Sequence, residues 1–331
     1  MLPLLQHPWR VTALLAVGLA TLSVASAQTS SPSAYPNRAI TLVVGYPPGG
    51  STDLIARALG LELGRQLGQT VIVENLGGAG GSLAAGKVAN APADGYTLLV
   101  GANNEIAINA LVRRNIKYSL KDFTPLGFLG SQPLVLAAPA DKGVKTTADF
   151  LRKVRAQPDR FSYGSSGIGT SLHVAAEMVK QQGRLTMTHI PYKGTGPLTT
   201  DLIGGNLDFG MFVMSSALPL IRSGKIVPIG ITEKRRSPVA PDIPALAEDP
   251  ALKDVDISVW FVLMGPARLP EPVATRLRSA LVEVLKHKSY RDTLETAGTV
   301  LPSQQPDLPR FLADETEKYR RIVQFANIKD E

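Results

Sequence analysis

Among the 331 residues there is no cysteine. This excludes disulfides, thiol nucleophiles and cysteine-ligated metals, so the chain must be held together by core burial, and its length allows one large or two medium domains. Histidine is scarce, with four in all and no H-x-x-x-H or H-E-x-x-H spacing, so no metal centre and no metal cofactor is expected. No Gly-Lys-Ser/Thr occurs, and the glycines at 49 and 50 lack G-x-G-x-x-G spacing, which argues against nucleotide cofactors. The segment Gly164-Ser165-Ser166-Gly167-Ile168 fails the last glycine of G-x-S-x-G, which weakens a hydrolase reading with Ser166 and His173. His189, in an apolar strand, and His287, in a lysine-rich helix end, read as structural and solvated. Of the two tryptophans, Trp260 is core or a wall of a cleft, with core favoured.

Long apolar runs are also missing, with one exception. Arg10 precedes a run from Val11 to Val24 that ends in Ala25-Ser26-Ala27. A basic start, a short apolar stretch and an A-x-A site predict a secretory signal peptide over 1–27, cleaved after Ala27, and a periplasmic mature protein. The run is short for a membrane anchor, and no Lys/Arg stop-transfer cluster follows it. The chain is basic, with a formal charge of +7. Its lysines and arginines are scattered, however, and the densest clusters, Lys234-Arg235-Arg236 and Lys318 to Arg321, read as solvated faces. Nucleic acid is therefore not an expected partner; the positive field favours anions instead.

From Ile40 onward, short β-branched runs alternate with helical periodicity. Strands are predicted over 40–44, 70–73, 96–100, 134–138, 161–164, 187–191, 207–214, 226–232 and 257–264. Helices are expected to follow most of them, and a helical block occupies 271–326. Such alternation predicts an α/β protein with mostly parallel sheets flanked by helices. The late helical block has little sheet of its own, which suggests a first lobe completed by the C-terminus around an inserted second lobe. The expected division is 28–128 plus 242–331 for the first lobe and 129–241 for the second.

Three strand-to-helix turns carry the chemistry. The first, Gly45 to Gly50, leads into Ser51-Thr52-Asp53. Its glycines let main-chain N–H groups approach a ligand, and the helix start adds the positive end of a dipole. The plainer reading is a tight turn stiffened by proline. The device recurs at Gly164 to Ser171 and at Tyr192 to Gly196, where Lys193 adds an ammonium. In open α/β sheets ligands bind beyond the carboxyl ends of strands, so these loops could converge on one carboxylate.

These residues resemble the opening and body of the Bug family, the extracytoplasmic solute receptors of tripartite tricarboxylate transporters. The likeness runs in order through Tyr35-Pro36-Asn37-Arg38, Pro47 to Asp53, Val73-Glu74-Asn75 with Gly78 to Gly81, and Asp94 to Leu99. It continues through Asp122-Phe123, Tyr163-Gly164-Ser165, Pro191 to Gly194, Asp201 to Gly205 and Trp260. The resemblance implies a two-lobed type II periplasmic binding protein fold that closes by a hinge around a small carboxylate. It implies no catalysis, a monomer, and permease subunits of such a transporter, or a sensor kinase, as partners. By position the ligand contacts would be Tyr46, Pro48, Gly49, Gly50, Ser51, Thr52, Asp53 and Asn103 from the first lobe. Ser165, Ser166, Gly169, Thr170, Ser171, Lys193, Gly194, Thr195 and Asp208 would contribute from the second. The chain departs from the family at Gly45-Tyr46, where proline and phenylalanine are usual, at Leu76-Gly77 and Asn109-Ala110, and at Val262, where glycine is typical. Gly45 is expected to enlarge the cleft and Val262 to narrow it. A secreted hydrolase and a receptor kept for signalling alone are the alternatives.

Overall fold

A computed structural model describes residues 35–329; the predicted signal peptide and its cleavage site lie outside the described residues. The chain begins with β1 (Ile40–Val44), α1 (Ser51–Leu67), β2 (Val71–Asn75), α2 (Ser82–Ala89) and β3 (Thr97–Ala102). A π-helical turn at Asn104–Ile108 and the short α3 (Asn109–Val112) precede the long strand β4 (Phe123–Pro139). Next come α4 (Thr147–Ala156), β5 (Ser162–Ser165), α5 (Ser171–Gly183), β6 (Thr188–Pro191) and α6 (Thr195–Ile203). The chain then forms β7 (Phe209–Val213), α7 (Met214–Arg222), β8 (Ile226–Ile231) and β9 (Ser258–Pro266). It ends with α8 (Glu271–Lys286), α9 (Lys288–Thr296) and α10 (Leu308–Phe325). None of the described helices is long and apolar enough to cross a membrane.

The strand order is β2-β1-β3-β9-β4-β7-β5-β6, with β8 also paired to β4. Parallel pairing holds at both ends, β2-β1-β3 and β7-β5-β6, where helices cover the faces. The middle is antiparallel, a departure from the mostly parallel pairing expected of the sequence. The chain leaves the first sheet along β4 and returns along β9, so the two crossing strands must run in opposite directions. β4 pairs with β9 from Phe123 to Pro133, then with β7 from Leu134 and β8 from Val135. One strand thus serves both sheets.

At the switch the main chain is tightly tied. Thr232 N–H donates to Leu134 O at 2.9 Å, and Ile257 N–H donates to Thr232 O at 2.7 Å. The Thr232 hydroxyl adds a bond to Ile257 O at 2.5 Å, and Thr232 is wholly buried. Buried main-chain groups need such partners, and at a crossover no regular ladder supplies them all. The core is continuous from the first sheet into α4 and α5, while a second cluster fills the other face of the second sheet. Ala240, Ile243 and Ala245 belong to that second cluster, and Ala245 bridges Ile231 in parallel. The chain after 241 therefore still packs on the second sheet, beyond the boundary at 241/242 that the sequence suggested.

Candidate ligand-binding cleft

Four helices, α1, α5, α6 and α7, direct their N-termini into one cavity of about 440 Å³ between the two sheets. Each follows the carboxyl end of a strand, as α/β packing requires of a ligand site. The cavity is lined by Tyr46 to Thr52 from the first turn, by Ala102 at the end of β3 with Asn103 and Asn104 after it, and by Val259 of β9. The second sheet supplies Ser166, Ser171, Leu172, Gly194, Thr195, Gly196, Val213 and Ser216. No lysine, arginine, histidine, aspartate or glutamate is among them.

The helix ends differ in how they are capped. α5 is closed: Thr170 accepts from His173 N–H, and Ser171 N–H donates to Asn104 Oδ1 at 2.8 Å. The Ser171 hydroxyl also donates toward Asn103 and Asn104 Oδ1, at 2.7 and 2.6 Å, which joins the two sheets at the base of the cleft. By contrast, α1, α6 and α7 start at Gly50, Gly194 and Val213, none of which caps its helix, although Gln132 from β4 takes the Ser215 N–H of α7 at 3.3 Å. First-turn N–H groups and the positive ends of three helix dipoles therefore face one space.

Of the residues singled out in the sequence, Tyr46, Pro48, Gly49, Gly50, Ser51, Thr52, Asn103, Ser166, Ser171, Gly194 and Thr195 line the cavity. Six do not. Asp53 turns inward and accepts from Gly49 N–H, Arg57 Nε and Asn75 Nδ2, each at 2.9 Å. Burial works against its charge, but these bonds and the Arg57 guanidinium hold its carboxyl below the usual aspartate range. Its role is to fix the turn. Ser165 is wholly buried, with its hydroxyl 2.7 Å from His189 Nε2. Thr170 serves as the cap of α5, and Gly169 packs on Val112. Lys193 is exposed and lies outside the cavity lining. Asp208 accepts from Ser162 N–H at 2.9 Å, at the amino end of β5 and so at the wrong end of the sheet.

The expected effects of two departures are also corrected. A Cβ at Gly45 would stand 2.6 Å from Gly81 Cα, so this glycine permits two loops to touch and does not widen the cleft. Val262 is buried between β3 and β4, away from the cavity. Trp260 is core: it is 1% exposed, and its indole N–H donates to Glu315 at 2.9 Å. The hydroxyl that a phenylalanine would lack at position 46 donates to Glu105 Oε2 at 2.6 Å. The candidate contacts read from the sequence left out Pro47, Ala102, Asn104, Leu172, Gly196, Val213, Ser216 and Val259. Ser216 was findable, since β7 runs straight into α7 with two serines in its first turn.

The His173 and His189 rings stack at 3.9 Å, with Tyr163 stacked on His189 at 4.8 Å. Burial is the first cause that pushes both imidazoles down, His173 to about 4 and His189 to about 3. Neutral His173 accepts Gly169 N–H on Nδ1 at 3.1 Å, which pins the loop bearing Ser166. Among the described residues no group of three or more His, Asp or Glu side chains could hold a metal ion.

Two lobes joined by crossing strands around a cleft of helix ends define a solute receptor of the periplasmic-binding-protein type. The description "Tripartite tricarboxylate transporter family receptor" matches residues 55–328, and the chain belongs to that family. It is 31% identical to protein BugT of Bordetella pertussis, over 97% of this chain and 98% of the relative. Among solved structures it resembles MatC of Rhodopseudomonas palustris with bound malate, at 30% identity and a TM-score of 0.78 over 87% of this chain and all of that one. A second R. palustris protein, solved with adipate, is 30% identical with a TM-score of 0.82, covering 89% of this chain and 99% of that one.

Proposed function

We propose that the protein is a periplasmic receptor that captures a small carboxylate between its lobes and delivers it to the permease subunits of a tripartite tricarboxylate transporter. The observation that carries this reading is the meeting of three helix N-termini without N-cap side chains in a cavity lined by no lysine, arginine, histidine, aspartate or glutamate. Each helix end contributes about 0.3–1 kcal/mol when exposed and up to ~2 when partly buried. Charge-assisted hydrogen bonds add roughly 1.5–3 kcal/mol each. A few such contacts reach the ~8 kcal/mol of micromolar binding. The malate and adipate held by proteins of similar fold are acids of the size this cavity admits.

In this reading the mature receptor follows cleavage after Ala27 and works as a monomer without chemical turnover. The lobes hinge where β4 changes partners at Pro133-Leu134 and where Thr232 meets Ile257. That assigns 134–256 to the second lobe and the remainder of the described chain to the first. Hand-over to a sensor kinase in place of a permease would use the same closed form.

The test is a thermal-shift panel of mono-, di- and tricarboxylates, followed by calorimetry on those that respond. A ligand at ~100 times its Kd stabilises by ~2.7 kcal/mol and is recovered unchanged. A flat response to every carboxylate would sink the assignment.

A further inference from the structure

One acid lies directly behind the cleft. Glu105 sits wholly buried in the π-helical turn after β3, next to the cavity-lining Asn103 and Asn104. Its Oε1 accepts Ala102 N–H at 2.8 Å, and its Oε2 accepts the Tyr46 hydroxyl at 2.6 Å. Tyr46 itself lines the cavity, so one phenol separates this carboxyl from ligand space. Behind it the glycine loop closes in, because a Cβ at Gly81 would stand 2.9 Å from Oε2.

The packed elements carry few charges toward this acid. Tyr118 donates its hydroxyl to the Glu105 main-chain oxygen at 2.8 Å. Lys87 on α2 is paired with Glu74, and Arg113 follows α3. On α10, Lys318 is paired with Glu315, while Tyr319 bonds Asn103 and Glu315. No ion pair among the described residues includes Glu105. Burial pushes its carboxyl up to about 7, although the Tyr46 and Ala102 bonds favour the ionised form.

We propose that Glu105 is a proton-linked positioning residue of the cleft, which takes a proton from solvent when an anionic ligand is captured and returns it on release. The inference rests on the carboxylate reading above. Two carboxylates about one phenol apart in a closed cleft repel, and protonation of Oε2 removes the repulsion. The protonated acid can then donate to the Tyr46 oxygen, which frees the phenol proton for another acceptor. At an effective dielectric of ~20 and a separation on the order of 9 Å, ionised Glu105 weakens anion binding about twentyfold.

Calorimetry with malate and with adipate, in two buffers of different ionisation enthalpy, reads the proton directly. Wild type is expected to take up more than about half a proton per ligand near pH 7.5, with affinity falling on the order of tenfold between about pH 6.5 and 9. Glu105→Gln is expected to show no uptake and a flat profile. Binding without uptake in wild type, or uptake unchanged in Glu105→Gln, overturns the inference and leaves the carboxylate reading standing. Should Glu105→Gln fail to fold, a wild type that binds without proton uptake still overturns the inference. Failure of malate, adipate and the wider acid panel to bind overturns that reading, and this inference with it.

Discussion

Replacing Glu105 by glutamine should stabilise the ligand-free protein at high pH and leave it unchanged at low pH. The ordinary value for this carboxyl is 4.5, and burial raises it to about 7 in the folded chain. Between those values the folded state holds a proton that the unfolded state releases. The stability contributed by the protonated acid is therefore complete below about pH 4.5 and lost as pH rises through about 7. A shift of this size corresponds to ~3 kcal/mol at 1.36 kcal/mol per unit. Glutamine imitates the protonated acid, since its oxygen can still accept Ala102 N–H while its amide faces the phenol. Urea midpoints compared at several pH values read the difference, which should be near zero below about pH 4 and about 3 kcal/mol above pH 8. At roughly 2–4 °C per kcal/mol for a chain of this size, the variant should melt several degrees higher at alkaline pH. Parallel stability curves across the range would refute the argument, because they would mean that folding leaves this carboxyl's affinity for its proton unchanged.

Three further outcomes follow from the same geometry. Asp53→Ala leaves Gly49 N–H without its acceptor and the Asn75 amide with one bond, to Tyr46 O, where it had two. It should lower stability by about 2–3 kcal/mol in urea titrations and weaken ligand binding, although Asp53 does not line the cavity. Gly196 lines the cavity with open space around its Cβ, so Gly196→Leu should weaken carboxylate binding at least tenfold while thermal unfolding stays within about 1 kcal/mol of wild type. The buried histidines act opposite to Glu105: their folded values lie below 6.5, so their contribution is present above about pH 6.5 and lost as pH falls through about 4 and 3. A His189→Gln variant, compared with wild type by urea midpoints, should lose less stability on acidification over that window.

The alternation of strands and helices was legible because apolar periodicity is set by burial, and each predicted strand appears within a few residues of its place. The first half of β4 was not. Pro125, Gly127, Gly130 and Pro133 disfavour a strand interior, yet register shifts between Pro125 and Gly127 and between Phe128 and Gly130 carry the strand past them. A bulge is a property of the partner strand as much as of the chain itself, so one sequence segment does not announce it. The cleft shows the same division. Glycine-rich helix starts could be read locally, and they do line the cavity. The charged candidates Asp53, Lys193 and Asp208 could not be assigned, because which way a side chain faces depends on partners such as Arg57, Asn75 and Ser162. Glu105 was invisible for the converse reason: nothing in Asn103-Asn104-Glu105 tells that the third residue is sealed beneath the first turn.

A neutral cavity is a physically coherent way to hold an anion that must later be released. A buried lysine or arginine would need its own counter-charge whenever the cleft is empty, since an unpaired charge taken from water costs several kcal/mol. Helix N–H groups carry only partial charge, are already ordered by their helices, and lose little when water returns to them. The same choice links binding to motion. α1 belongs to the sheet of β1, whereas α6 and α7 belong to the sheet of β7. A ligand can engage both sets only when the lobes meet, and that differential contact is what shifts an equilibrium between open and closed forms. Gln132 stands where this matters: its side chain accepts Ser215 N–H in the first turn of α7 and donates to Thr299 across the crossing strand. The helix end that faces the cavity is thereby braced against β4, the strand where the hinge is proposed, so closure there would draw on the same hydrogen bonds as binding.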